Sequence, residues 1–470
     1  MPEMQADSDS SPSDQKAIYD RYQQRLEEQN ALVETTAAKW RSVGFLRGSS
    51  FIFAFILLVC GFLAVLQVQT PWFIGFVCGF VAFLTIVFIH EGIFVKLHKQ
   101  KLERSFTRRS IAVLRRDWNS LPDIPAEIPP SRLAVANDLD LFGKASLMKL
   151  VCTAQTPLGI QKIADWISEP ASVEEVSRRQ PGVAELKGQT EHRDRLSLLG
   201  NLVTNQHGDP KKLMDWAGRP TDQVGGNLLQ YFARFMTVFN FVAVILGVTQ
   251  LIPFPIAILV LLAGLAINFI TTVFSASKIH NVFNEVAARQ PDAEHYLQLI
   301  KLICTADVKS EYLVDQQTQL KSGSISAYTA FADLTRRTWM ANLRRNSLLF
   351  IVVYLPLQFF ALWDIHILRH LANWRTRYGE NVANWFDAIA NWEAISSLAK
   401  LANDHPSCRF PTVELQDLSS AKLQATRITH PLLPVSDAVP NSVEVGPVGT
   451  ILWSPDQTCP EKVRCCVRSV

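Results

Sequence analysis

The sequence predicts an all-α chain that crosses a bilayer in two helical hairpins, and three observations carry that expectation. Of its 470 residues 48% are hydrophobic although 19% are charged, so the apolar side chains must be concentrated in stretches. Two such stretches, residues 48–89 and 235–277, contain no Asp, Glu, Lys or Arg. Outside them, apolar residues recur at three- and four-residue spacing, the period of helices that bury one face.

The elements follow in order. Residues 1–46 form an N-terminal helical segment, acidic and polar up to Lys39, without the basic start and small-residue exit of a cleavable signal peptide. The first hairpin, 47–92, breaks at 67–71 into arms 51–66 and 72–89, each near the ~20 residues that span a hydrocarbon core. The second, 231–277, breaks at Pro253 and Pro255. Lys39, Arg41 and Arg47 precede the first hairpin, Lys96, Lys99, Lys101, Arg104, Arg108 and Arg109 follow it, and both turns are uncharged. Arg234 and Lys278 flank the second in the same sense. Because cytoplasmic flanks carry the excess of Lys and Arg, the expectation is a multi-pass protein of the inner (cytoplasmic) membrane with its soluble domains in the cytoplasm.

Residues 93–130 read as a basic juxtamembrane helix ending in the proline-rich linker 124–130. In 131–230, the stretches 146–151 and 158–167 are short amphipathic helices. Thr156 and Pro157 supply a cap and a first turn, and Pro170 closes that helix. Ser172, with Glu174 and Glu175 behind it, opens the next, where acids suit the helix N-terminus. The apolar stretch 348–362 is short, contains Pro356 and ends in Trp363 and Asp364. It reads as a buried helix of the soluble part, with an interfacial segment as the alternative.

Several motifs carry a family resemblance. They are Asn137-Asp-Leu-Asp-Leu-Phe-Gly-Lys-Ala-Ser-Leu147, Thr156-Pro-Leu-Gly159, Ala164-Asp-Trp-Ile-Ser-Glu-Pro170, and Arg178-Arg-Gln180 with Val183, Glu185 and Leu186. Together they resemble the opening of the core domain of the MutS family, the DNA mismatch-repair ATPases, and more closely a membrane-anchored MutS-like branch. The resemblance covers 137 to about 218 and resumes in 278–425, where 332–348, 363–378 and 385–401 look like the family's long lever helices. His405-Pro406 and Cys408-Arg-Phe-Pro411 end that section. His430-Pro-Leu-Leu-Pro434 and Val439-Pro-Asn441 look like the threshold of the ATPase domain, so that 426–451 would hold only the first strands of an α/β fold.

The departures are as informative. Family members that sense mismatches place an aromatic wedge and a nearby acid beside the mispair from an N-terminal domain. Here a membrane hairpin stands in that place, and Phe283-Asn284-Glu285, which has the bare spacing, follows a membrane arm on a helical pattern. The family's P-loop, Gly-x-x-x-x-Gly-Lys-Ser/Thr, occurs nowhere, and Gly143-Lys144 is followed by Ala145. Residues 452–470 have no amphipathic period. If their codons are read one base out of register from Leu452, the genetic code permits Val-Val-Thr-Gly-(Ser or Pro)-Asn-Met-Ser-Gly-Lys-Ser-Thr-Leu-Leu-Arg, a complete P-loop where the family requires one. The expectation is a frameshifted tail over 452–470, a chain truncated before its nucleotide site, and no ATP turnover; a natural divergent terminus is the alternative. No catalytic, metal or in-frame nucleotide-binding residue is assigned. ATP and Mg2+ are the cofactors implied for an intact relative.

Lys plus Arg number 46 against 43 Asp plus Glu, so an anionic partner would have to meet a local patch. The candidates are Arg104, Arg108, Arg109, Arg115, Arg116, Arg336, Arg337, Arg344 and Arg345, for DNA phosphates or lipid headgroups. For 96–116, directly after a membrane arm, anionic lipid is the first expectation. His366 and His370 have metal-binding spacing but no third ligand nearby. Eight scattered cysteines read as reduced thiols. Trp363, Trp374, Tyr378, Trp385 and Trp392 read as packing between helices. The implied partners are the bilayer, a second copy through the core or the absent ATPase domain, and DNA. The competing class is a membrane-tethered scaffold that binds neither nucleotide nor DNA. A transporter is disfavoured by membrane arms without ionisable residues.

Overall fold

A computed structural model describes residues 12–64, 70–204, 210–219, 226–287, 290–321, 326–342, 353–413, 422–434 and 437–446. Most of the first turn (67–71), Arg344, Arg345, the beginning of 348–362 and the tail 452–470 lie outside the described residues. Two strands apart, the regular structure of the described residues is helical, and it divides into two compact units.

The first unit is dominated by two long helices that run along one another, α1 (Pro12–Ala64) and α2 (Thr70–Leu114). Proline occurs in α1 only at its first residue, where a missing N–H costs nothing, so the polar segment and the apolar arm are one uninterrupted helix. Pairing continues beyond the apolar part: Trp40 packs on His90 at 5.2 Å and on Phe94 at 6.4 Å, and Arg104 donates to Asn30 Oδ1 at 3.5 Å. Phe51, Ile52, Phe53, Phe55 and Ile56 are each more than half exposed, as side chains facing lipid would be. Shorter pieces, α3 (Leu133–Asp138) and α4 (Leu147–Val151), follow. Buried Lys149 of α4 lies 2.8 Å from Asp123 and fixes the end of the preceding linker. An antiparallel pair, β1 (Leu423–Ile428) with β2 (Asn441–Val445), sets Leu423 opposite Val445.

The second unit contains α5 (Pro157–Ser168), α6 (Val173–Lys187), α7 (Thr190–Thr204), α8 (Pro210–Gly218), α9 (Gly226–Val248), α10 (Phe254–Ala287), α11 (Gln290–Cys304), α12 (Glu311–Lys321) and α13 (Ala327–Asn342). A short helix, Leu355–Ala361, and a long one, Trp363–Asp404, complete it. Thr156 caps α5 by accepting from Gly159 N, and Ser172 caps α6 by accepting from Glu175 N. Trp374, Phe386 and Trp392 of the long helix are almost wholly buried with Tyr296, Leu299 and Phe331 from α11 and α13. Tyr296 meets Phe386 edge-on at 4.8 Å, and Trp216 of α8 stacks on Trp374 at 5.7 Å.

Among the described residues, three helices are long and apolar enough to cross a bilayer: Val77–Leu114 within α2, Leu228–Val248 within α9 and Phe254–Phe274 within α10. The chain is a membrane protein.

Two expectations are corrected. The stretches 363–378 and 385–401 are one helix of 42 residues, not two levers. Gly379 between them is no break: a Cβ there would overlap the Ala217 carbonyl, so the glycine admits the end of α8. Second, the described part of 348–362 buries Tyr354, Gln358, Ala361 and Leu362, and its helix packs on the membrane helices α9 and α10.

Candidate functional site

The long helix is held at two places, and both depend on buried polar groups. Near its C-terminal end, Glu393 is fully buried and its Oε1 accepts from Gln155 N at 3.1 Å and Thr156 N at 3.3 Å. Thr156 Oγ1 donates to the other carboxylate oxygen while accepting from Gly159 N at 3.1 Å. One turn on, Ser397 Oγ accepts from Thr153 N at 3.1 Å. A Cβ on Gly159 would overlap the Glu393 carboxylate, and one on Gly200 would stand 2.9 Å from Oε1. Within the Thr156–Gly159 motif, then, Thr156 caps the helix, Pro157 sets its first turn and Gly159 leaves room for the acid. Burial pushes the Glu393 carboxyl up to about 7 despite hydrogen bonds that favour its charged form. Beside it, Trp392 Nε1 donates to His192 Nε2 at 3.1 Å, which needs that nitrogen unprotonated. Burial, with Arg193 and Arg195 adding repulsion, depresses His192 to about 4.

At the other end the long helix is fastened to the second hairpin. Asn240 of α9 and Asn268 of α10 are fully buried, and both side-chain amides donate to the Phe360 carbonyl, at 2.8 and 3.2 Å. Asn268 also reaches the Phe359 carbonyl at 2.7 Å, and Thr237 Oγ1 donates to the Ala361 carbonyl at 3.2 Å. These are the carbonyls that the end of the helix Leu355–Ala361 leaves unpaired. Leu362, at φ +50°, closes that helix through its N–H to the Gln358 carbonyl at 2.9 Å. Gln358 Oε1 then accepts from Asp364 N at 3.0 Å, opening the long helix. Asn240 lies six residues inside Arg234 and Asn268 ten inside Lys278, about 9 and 15 Å at ~1.5 Å per residue. Irregular backbone at such depth is tolerated only where protein satisfies it, and the two asparagines do so. Asn240 Oδ1 rests on Gly264, where any side chain would overlap it.

The described basic candidates are divided between the two units. Arg104, Arg108, Arg109, Arg115 and Arg116 lie on or just beyond α2 in the first unit, Arg336 and Arg337 on α13 in the second. Arg115 sits 4.9 Å over the Tyr19 ring, and Arg116 donates to the Val113 carbonyl at 2.7 Å. Arg337 pairs with Asp333 at 2.8 Å. Arg108 and Arg336 are exposed. Among the described residues no group of three or more potential metal ligands occurs, so His366 and His370 gain no third ligand there.

Sequence reading missed Glu393, Asn240 and Asn268. A lone acid inside the apolar run 388–395 was the available signal for the first; neutral amides in a charge-free run gave none for the others. Comparison of the chain with family models, with curated proteins and with solved structures finds no match.

Proposed function

We propose that this chain is a membrane-anchored MutS-like protein, in which a core-and-lever helical body is held on the cytoplasmic face of the inner membrane and associates with DNA without turning over ATP. One observation carries the reading. Residues 151–218 and 290–402, separated in sequence by the second hairpin, belong to one compact unit joined through Thr156 and Glu393. That is the arrangement of a single core into which a membrane hairpin has been inserted. The Thr156–Gly159 motif on which the resemblance partly rests lies at that joint.

The chain carries no P-loop, so it lacks the backbone cradle and lysine that hold nucleotide phosphates. DNA contacts made through phosphates alone would be indifferent to sequence. The test uses the whole chain in lipid nanodiscs, with fluorescence anisotropy of a labelled duplex of about 40 base pairs. The expected result is saturable binding that weakens steeply with salt, equal within roughly twofold for matched and mismatched duplex. ATP hydrolysis stays at the level of empty nanodiscs. No binding above empty nanodiscs would favour the scaffold reading, which the engagement of Arg115, Arg116 and Arg337 by other groups of the chain supports. Strong mismatch preference or saturable ATP turnover would overturn the proposal.

A further inference from the structure

Past the apolar arms of the first hairpin, the polar lengths of α1 and α2 form a two-helix stalk with a constant antiparallel register. Trp40 meets Phe94 at 6.4 Å, Asn30 Oδ1 accepts from Arg104 at 3.5 Å, and Arg115 lies 4.9 Å over the Tyr19 ring. Ten residues from Trp40 back to Asn30 are matched by ten from Phe94 to Arg104, and eleven from Asn30 to Tyr19 by eleven from Arg104 to Arg115. On α1, Asp20, Glu27 and Glu34 are seven residues apart, a spacing that aligns them in one row, with Lys16 and Arg41 at its ends. Lys101, Arg108 and Arg115 make a second row with the same spacing on or just beyond α2. The register sets Glu34 level with Lys101, Glu27 with Arg108 and Asp20 with Arg115, each within one residue. At about 100° per residue, Asn30 and Tyr19 fall between the acidic row and the seam with α2, and the basic row falls on the side of Arg104, so both rows lie on one flank of the stalk. All six side chains are exposed, and among the described residues none of them is in an ion pair. The opposite flank mixes the signs: Arg21 and Glu28 lie there on α1, and Lys99 pairs with Glu103 at 3.9 Å on α2.

Height above the membrane decides what can meet these rows. The apolar arm ends at Ile89, and Lys101 and Arg108 stand about 18 and 28 Å farther along the helix at ~1.5 Å per residue, against a Debye length of ~8 Å, which takes them away from lipid headgroups. A nucleic acid laid on this flank would meet the acidic row together with the basic one. A second copy in the same membrane stands at the same height. A twofold axis along the membrane normal turns the basic row of each copy toward the acidic row of the other, so every pair forms twice.

We propose that two copies of this chain associate side by side through α1 and α2, with Asp20, Glu27 and Glu34 of each copy facing Arg115, Arg108 and Lys101 of the other. Exposed ion pairs are individually weak, so the contact relies on their repetition and on the confinement of both copies to one membrane. The interface rests on the membrane placement of the first hairpin and not on DNA association, so either proposal can fail alone.

The test is energy transfer between donor-labelled and acceptor-labelled preparations of the full chain, mixed in phosphatidylcholine liposomes. Wild type should show more transfer than an unrelated membrane protein at the same density. Glu27→Lys with Glu34→Lys in both preparations should weaken association at least about tenfold, because like charges then face each other, and so should Lys101→Glu with Arg108→Glu. Mixing the acid-reversed chain with the base-reversed chain should restore association, which also shows that both variants fold. Glu28→Lys, on the mixed flank, should leave it unchanged. Wild type without excess transfer, association that survives either reversal, or a mixture that fails to recover overturns the interface. Duplex binding lost in the base-reversed chain while transfer persists would assign the basic row to nucleic acid and overturns it as well.

Discussion

Glu393 and His192 make the core titrate in opposite senses. The Glu393 carboxyl, moved from 4.5 to about 7, holds its proton more tightly folded than unfolded, so it withdraws stability as pH rises from 4.5 to 7. In the limit that is worth about 3 kcal/mol. His192, lowered from 6.5 to about 4, holds its proton less tightly when folded, so stability is lost as pH falls from 6.5 to 4. Between 4.5 and 6.5 the two slopes oppose; above 6.5 Glu393 acts alone. Thermal unfolding of Glu393→Gln should therefore show a midpoint that gains on wild type as pH rises from 5 to 8, and parallel curves would refute the assignment. Gly159→Ala thrusts a methyl into the carboxylate and should cost about 1–3 kcal/mol. Gly188→Ala, where a Cβ meets nothing, should be close to neutral by the same measurement. Thr156 as a cap was legible in the sequence because capping is local, settled by Pro157 and Gly159 next to it. Its partner was not: Glu393 lies 237 residues away, and nothing in the intervening chain fixes that register.

Among the elements, the short helix Leu355–Ala361 shows what hydropathy conceals. Its proline and its length disqualify it as a span, and both facts are correct, yet it packs on α9 and α10. Asparagine does not interrupt an apolar run as a charge does, so Asn240 and Asn268 passed as membrane filler although each donates to this helix. Replacing both by leucine strands the Phe360 carbonyl in apolar surroundings, a loss of about 1–3 kcal/mol per unmet group. Amide hydrogen exchange over 355–364 should speed up by at least about tenfold in that double variant, while α5 to α7 keep their protection. Unchanged exchange at 355–364 would mean that the asparagines do not hold the segment. The long helix was legible only as the separate stretches 363–378 and 385–401; the approach of the Ala217 carbonyl to Gly379 between them was not.

For the whole molecule, the charge-free runs made the membrane character readable, and helical periodicity made the class readable. The insertion of the second hairpin into one helical unit could be suspected only from motifs on either side of it; the packing of 151–218 with 290–402 gives it a physical basis. A long helix of about 63 Å, at ~1.5 Å per residue over its 42 residues, follows the short helix that the buried membrane asparagines hold and is fastened near its other end to the Thr156 turn, which ties the helical core to the membrane hairpin. The account requires the turn of the second hairpin and the soluble core to lie on opposite sides of the membrane. An azide-bearing amino acid placed at Leu251, 72% exposed in that turn, or at exposed Glu174 of α6, reports this directly in sealed right-side-out vesicles treated with an impermeant cyclooctyne dye. The account predicts labelling at 251 in intact vesicles and at 174 only after permeabilisation. Labelling of both positions, or of neither, before permeabilisation would contradict it.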